Sequence, residues 1–390
     1  MRTLNLGILA HVDAGKTSLT ERILHSAGVI DTIGSVDDGN TQTDSLALER
    51  QRGITIKSAV VSFVVGATTV NLIDTPGHPD FIAEVERVLS VLDGAVLVIS
   101  AVEGVQAQTR ILMRTLQRLA IPTLIFVNKI DRVGAQRESL LRSISQRLAA
   151  GIVPMGATGG LGTRQASFRP YGPADADFGS SLVDMLADHD EALLIDFVTD
   201  GAAVPYPRLR EALARQTGQS RVHPVFFGSA ITGAGVDALI TDLTRLLPTT
   251  DGAADDDVAG TVFKIERGAA GEKIAYARLF AETVRVRDRL PFHHPGRGDD
   301  TSDLDDKVTG IRVFHNGAAV RRPSVSAGQI GLLSGLADIR IGDAIGPRPP
   351  TSVAQQHFPP PSLETVVVPD RPADRGALHV ASTSSPSRTR

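Results

Sequence analysis

The stretch Ala10-His-Val-Asp-Ala-Gly-Lys-Thr-Ser-Leu-Thr20, AHVDAGKTSLT, lies near the start of a 390-residue chain and decides how the rest is read. Gly15, Lys16 and Thr17 form the core of a phosphate-binding loop, which needs an open turn, a cation and a hydroxyl at the start of a helix. Backbone N–H groups from Asp13 to Ser18 would cradle a β-phosphate. Lys16 would reach the β and γ oxygens, and the Thr17 hydroxyl would ligate Mg2+. Ala10 opens the loop where glycine is usual, and the position asks only for a small side chain. Ala10, His11, Val12, Asp13, Ala14, Gly15, Lys16, Thr17 and Ser18 are therefore candidate nucleotide contacts. An apolar strand pattern precedes the loop and a helical one follows, as such a loop requires.

Two further stretches raise this reading. Asp74-Thr75-Pro76-Gly77-His78 ends an apolar run, where the Asp74 carboxylate can hold a Mg2+-bound water and the Gly77 amide can meet a γ-phosphate. Alone, it could be a strand-ending turn. Asn128-Lys129-Ile130-Asp131 ends another run. The Asp131 carboxylate can accept from both N1–H and the 2-amino group of guanine, a donor pair that adenine lacks. Asn128 would tie this loop to the phosphate loop, and the Lys129 stem would cover the base. Gly228-Ser229-Ala230 follows a later run, and its amides could donate to guanine O6. In this order, each at the carboxyl end of a strand, the motifs point to GTP. Between them, Val36–Ile56 is polar and weakly periodic and suits a loop ordered by the γ-phosphate and Mg2+, with Thr55 as the second hydroxyl ligand. Taken alone it reads equally as a solvated surface loop.

The wider pattern agrees. Strand candidates at Leu4–Leu9, Ala59–Val65, Thr69–Ile73, Gly94–Ser100, Pro122–Val127 and His223–Phe227 alternate with segments of helical period. Phe81, Val85, Val88, Leu89 and Leu92 share one helical face, as do Val236, Leu239, Ile240, Leu243 and Leu246. This predicts an α/β unit at 1–248, a mostly parallel sheet covered on both faces, with an irregular insertion from Gly151 to Pro173. An acidic linker is expected at 249–257. Short alternating runs over 258–350, at Thr261–Ile265, Ala275–Phe280, Thr283–Val286, Val308–Phe314 and Ile330–Leu333, predict a small all-β barrel. The stretch 351–390 offers one strand's worth of apolar sequence, LETVVV, and then a polar tail of low complexity.

Composition narrows the classes. With no cysteine, thiol catalysis, disulfides and cysteine zinc sites are excluded. A formal net charge of −4 gives no global basic field for non-specific nucleic-acid binding. No apolar run is long enough for a signal peptide or a membrane span, so a cytoplasmic protein is expected.

With AHVDAGKT, ERQRGITI, DTPGH, NKID and GSA in place, the chain resembles the translational GTPases from Leu4 to about Asp370. It is most like the branch holding elongation factor G and the tetracycline-resistance ribosomal protection proteins. The stretches GSVDDGNTQTDSLALERQRGITI and GVQAQTRILMRTLQRLAIPTLIFVNKIDR resemble the ribosomal protection proteins more than the elongation factor. AGQIGLLSGLADIRIGDAIG is similar to the β-barrel domain of the whole branch. The resemblance implies a P-loop GTPase domain followed by that barrel.

It also implies roles. His78 would orient the attacking water, swung into place by ribosomal RNA, and Val12 with Ile54 would form the apolar gate that holds the water out beforehand. Asp13 would sit by the α and β phosphates with a monovalent cation. The implied reaction takes GTP to GDP and phosphate on the bacterial 70S ribosome, dislodging tetracycline, by a monomer that needs no membrane. Family members continue with three further domains, so the chain is expected to be a copy truncated just inside the third, with STSSPSRTR as out-of-frame sequence. Two alternatives stay open: an elongation factor G-like translocation factor, and a fragment that binds GTP and GDP but releases no drug. A carrier of aminoacyl-tRNA would need a second barrel that forty residues cannot supply.

Overall fold

Arg2–Ala10 forms β1, the strand around which the first half of the protein is built, and eight of its nine residues are buried. The computed structural model describes residues 2–34, 59–75, 82–190, 193, 195, 204–250, 257–268, 270–294 and 304–346. The chain divides into two compact units, the first made of Met1–Asp251 with His315–Ala318 and the second of the remainder. No helix of the described residues is long and apolar enough to cross a membrane.

In the first unit the elements run β1, α1 (Lys16–Ser26), β2 (Ala59–Val65), β3 (Thr68–Asp74), α2 (Ile82–Leu89), β4 (Gly94–Ser100), α3 (Ala107–Arg118), β5 (Thr123–Asn128) and α4 (Arg137–Arg147). They continue with β6 (Ile152–Pro154), β7 (Gly156–Gly159), β8 (Ser167–Pro170), α5 (Ala176–Ala187), α6 (Tyr206–Gly218), β9 (His223–Phe227) and α7 (Val236–Leu246). The seven-stranded sheet has the order β2-β3-β1-β4-β5-β9-β6. Every neighbouring pair is parallel except β2 with β3.

Strand alternation divides the apolar residues between two faces. Leu4, Leu6 and Ile8, with Val96, Val98, Leu124 and Phe126, share one core with Leu19 and Ile23 of α1, Leu209 and Leu213 of α6, and Leu239 and Leu243 of α7. The alternate set, Leu97, Ile99, Ile125 and Val127, is fully buried as well. Strands buried on both faces read as continuous apolar runs, as these do. Leu92 lies beyond the end of α2 but still packs on the sheet: a Cβ at Gly7 would come within 2.5 Å of its Cδ1.

The stretch from Gly151 to Pro173 is not the irregular insertion its composition predicts. β6 joins the sheet edge beside β9, and β7 and β8 form an antiparallel hairpin. β6 has three residues, too few to display a period of two. Gly156 hides the hairpin for a steric reason, since a Cβ there would lie 2.4 Å from the Arg169 carbonyl oxygen. Phe168 of β8 anchors the hairpin against Phe226 of β9, ring centroids 6.3 Å apart.

The second unit is β-rich. Its strands are β10 (Ala259–Arg267), β11 (Lys273–Ala281), β12 (Thr283–Arg285), β13 (Arg289–His293), β14 (Leu304–Lys307), β15 (Gly310–His315), β16 (Ala318–Arg321), β17 (Ser324–Ser326), β18 (Ile330–Ser334) and β19 (Ala344–Ile345). Eight of them make one sheet in the order β14-β13-β19-β10-β11-β18-β15-β16, and β12 pairs with β17. Val262, Ala277, Leu279, Leu290, Phe292, Ile311, Leu333 and Ile345 form its core. Among the described residues the sheet has two ends, β14 and β16, so the expected barrel is present as a sheet around a core without a described closing pair. Most of the expected linker, at 251–256, and the expected third-domain start, at 351–390, lie outside the described residues.

Candidate nucleotide-binding site

Parallel register brings the motif ends together. Asp74, at the end of β3, stands opposite Ile8 of β1, and Asn128, at the end of β5, stands opposite Ser100. Phe227, just before Gly228, pairs with Val127. The loops after β1, β3, β5 and β9 therefore leave the sheet along one edge, at the carboxyl ends where open α/β sheets bind ligands.

The loop after β1 is shaped by two left-handed residues, Asp13 at φ 63° and Gly15 at φ 86°. Asp13 is exposed and tolerates this region as aspartate does. Gly15 cannot be replaced cheaply, because a Cβ there would sit 2.4 Å from Asn128 Nδ2. Ala10 and Ala14 are fully buried, which explains the demand for small side chains at both. α1 starts at Lys16 with no side-chain cap, so its first-turn amides, those of Lys16, Thr17 and Ser18, have no intrahelical acceptor and face the loop. Thr17, Ser18 and Val12 are half-buried.

Lys16 and Asp74 meet in the centre, Nζ donating to Oδ1 at 2.6 Å, with 7% and 0% of their side chains exposed. Thr75 Oγ donates to the Ile8 carbonyl at 2.8 Å and fixes the exit of β3 against β1. His11 is buried. Its Nδ1 lies 3.1 Å from Thr109 Oγ in the first turn of α3, and its Nε2 meets no hydrogen-bond partner among the described residues. Burial holds the ring below the ordinary imidazole value, opposed by Glu103, aided by Lys129 and opposed again by Asp13.

Asn128 ties the loops to one another. Its Nδ2 donates to the Ala14 carbonyl at 2.9 Å, and its Oδ1 accepts from the Ala230 N–H at 2.9 Å. Next to it Lys129 is left-handed at φ 67°, and its ammonium lies 3.2 Å from Glu103 Oε1. The Ile130 N–H donates to the Gly228 carbonyl at 3.2 Å, and the Ile130 carbonyl accepts from Gly162 N–H at 2.9 Å. The hairpin loop between β7 and β8 thus braces the turn that carries Asp131, which is half-buried. In the turn after β9, Ser229 N–H donates to the Ala234 carbonyl at 2.9 Å. With both amides engaged inside the protein, a guanine O6 would have to share or displace the Ala230–Asn128 contact.

The phosphate end has the character a nucleotide requires. A left-handed turn where no Cβ fits, a helix N-terminus without a side-chain cap, a buried ammonium and a buried carboxylate are what a triphosphate with Mg2+ takes, since Mg2+ keeps waters and binds one or two protein groups beside substrate phosphates. Thr17 and Asp74 are the described candidates to hold it. Ile54, Thr55, Pro76, Gly77 and His78 lie outside the described residues. Two clefts of about 590 and 660 Å3 lie elsewhere, along α5 and β6, and no residue of the loop motifs lines them.

Three residues that sequence reasoning did not single out belong to the surroundings: Thr109, Glu103 and Arg22. Arg22 of α1 donates through Nε to the Ala230 carbonyl at 2.8 Å and through Nη2 to the Ile231 carbonyl. No local signal marks it, because its partners are more than two hundred residues away.

Known proteins agree with this construction. The chain is 52% identical over 384 residues to an oxytetracycline resistance protein of Streptomyces rimosus, covering 98% of this chain and 58% of that one. It is 44% identical over 387 residues to the tetracycline resistance protein TetM of Streptomyces lividans, with the same shares of 98% and 58%. The chain thus spans a little under three-fifths of the length of these relatives. A crystal structure from Thermus thermophilus superposes with a TM-score of 0.83 at 22% identity, covering 98% of this chain and 60% of that one, a likeness of fold. Residues 1–249 match the elongation factor Tu GTP binding domain, the whole stretch that builds the loop edge just described, and the chain belongs to that family of GTP-binding domains.

Proposed function

We propose that the protein is a ribosome-dependent GTPase of the ribosomal protection type, which hydrolyses GTP to GDP and phosphate and so releases tetracycline from the bacterial 70S ribosome. The observation that carries it is the meeting of Lys16, Asp74 and Asn128 at one sheet edge in a chain half identical to an oxytetracycline resistance protein. Lys16 leaves Asp74 for the β and γ oxygens as the substrate enters, and first-turn amides from Lys16 to Ser18 take the β-phosphate. Thr17, Thr55 and the water held by Asp74 would ligate Mg2+, which when bound neutralises charge developing on the phosphates. Asp131 reads the guanine edge, Lys129 covers the base, and Ser229 with Ala230 approaches O6. Asp13 stands by the α and β phosphates with a monovalent cation. His78 orients the water, and Val12 with Ile54 gates it. Phosphoryl transfer asks for positioning and charge neutralisation rather than a covalent intermediate, so the intrinsic rate is low and the ribosome supplies activation. The protein acts as a cytoplasmic monomer.

A second reading needs only the nucleotide edge itself, where Lys16, Asp74 and Asn128 are held together. On this reading the chain binds GTP and GDP but releases no drug. Expression in a tetracycline-sensitive host, with survival measured beside GTP binding by the purified protein, separates the two. Survival supports the first reading, and binding without survival supports the second. If the purified protein binds no GTP, both fall.

A further inference from the structure

Arg22 is a charged side chain on the helix that follows the phosphate loop, yet it points across the molecule. Its guanidinium donates to two consecutive carbonyls, Ala230 at 2.8 Å and Ile231, in the turn after β9. Gly233, at φ 86°, lies directly over it: a Cβ there would sit 3.7 Å from Arg22 Nη1. Asp237, in the first turn of α7, is the acidic group facing the guanidinium.

The turn it holds is otherwise closed on itself. Gly233 N–H donates to the Ser229 carbonyl at 2.8 Å, and Thr232 N–H to Ser229 Oγ at 3.1 Å. Two contacts join Ala230 and Ile231 to the nucleotide edge: Ala230 N–H on Asn128, and Arg22 on the carbonyls. A residue's N–H and C=O belong to the two peptide planes either side of its Cα. Arg22 holds the plane that carries the Ala230 carbonyl, and Asn128 holds the plane that carries the Ala230 N–H, so together they fix the backbone on both sides of the Ala230 Cα. A planar fork with donors fixed in direction holds two adjacent carbonyls more rigidly than the rotating ammonium of a lysine.

We propose that Arg22 is a positioning residue for nucleotide recognition, a clamp that ties the guanine-facing turn at 229–231 to the phosphate-binding helix, so that base and phosphates are held at a fixed separation. The proposal rests on the guanine-nucleotide reading above. It makes Arg22 matter for release of a whole nucleotide and not for a ligand that occupies the phosphate loop alone. GDP and GTP are affected equally, because the clamp lies at the base end.

The test uses the full chain and mant-GDP dissociation, with inorganic pyrophosphate as a competitor that probes the phosphate loop by itself. Arg22→Ala should speed mant-GDP release by about tenfold or more, with mant-GTP changed by the same factor and pyrophosphate competition unchanged. Arg22→Lys, which keeps the charge but loses the rigid fork, should give an intermediate rate and carries the test if the alanine variant does not fold. Wild-type release rates in either variant overturn the clamp. So does an equal loss of pyrophosphate binding, which would place the effect in α1 itself. A wild-type chain that binds no mant-GDP sinks the nucleotide reading instead, and the two failures are told apart by that control.

Discussion

On the proposed function Asp131 selects guanine, and a single atom exchange tests it. In Asp131→Asn, one carboxylate oxygen becomes an amide donor facing the N1–H and 2-amino donors of guanine. A site built to hydrogen-bond a particular edge discriminates strongly when that edge changes, so GTP binding should fall about a hundredfold or more while XTP, whose 2-oxo group accepts, gains. If competition binding shows no shift toward XTP, Asp131 does not read the base. Two histidines set a second expectation. His11 and His223 are both held below the ordinary value of 6.5, chiefly by burial. Their folded forms stay neutral while the unfolded chain takes up protons below that value, so their contribution is complete above 6.5 and is lost as pH falls through the depressed folded values. The denaturant midpoint should drop between about pH 7.5 and about pH 5, and His223→Asn should flatten that drop. A flat profile in the wild type would contradict it. The motif residues were legible because each loop keeps its chemistry within a few neighbours. The contacts of His11 with Thr109, and of Arg22 with Ala230 and Ile231, join distant segments and leave no local trace.

At the scale of elements, the strands and helices of the first unit were legible where period and burial coincide, as in β4 and α7. They were not where elements are short or polar. β6 has three residues, and β14 reads LDDK, a charged strand at a sheet end, where charge guards an exposed edge. The β7–β8 hairpin is the informative miss, because it supports the site: Gly162, at φ 81°, donates its N–H to the Ile130 carbonyl at 2.9 Å. An alanine there would hold a left-handed backbone at a cost of about 1–2 kcal/mol. Gly162→Ala should therefore lower the unfolding free energy by about that amount and speed nucleotide release, since the loop it braces carries Lys129 and Asp131. Lower stability with an unchanged release rate would mean that the hairpin supports the fold but not the site.

For the whole molecule, the question is where the first unit ends. Among the described residues its core runs no further along the chain than Leu247, and its loop-edge residues lie between Ala10 and Ala230. The last residues before Asp251 nonetheless belong to it. Leu247 is 4% exposed and lies so close to Gly94 that a Cβ there would meet its Cδ2 at 2.9 Å. Thr250 pairs with Thr3 of β1 through two backbone hydrogen bonds, at 2.9 and 3.1 Å, and its hydroxyl lies 3.3 Å from Asp93 Oδ1. Asp93 in turn accepts from Asn5 N–H and Nδ2, both at 2.8 Å, so the chain end is fastened to the central strand through a polar network. A chain cut after Asp251 should then unfold as one unit and bind GDP as the full chain does. A chain cut after Leu246 loses a buried leucine, about 1.5–3 kcal/mol, and the paired Thr250 hydrogen bonds, about 1 kcal/mol each. Denaturant unfolding of the two fragments should differ by about 3–5 kcal/mol in favour of the longer. Equal stabilities would mean that the unit ends at α7, and failure of the longer fragment to bind GDP would mean that the second unit contributes to the site.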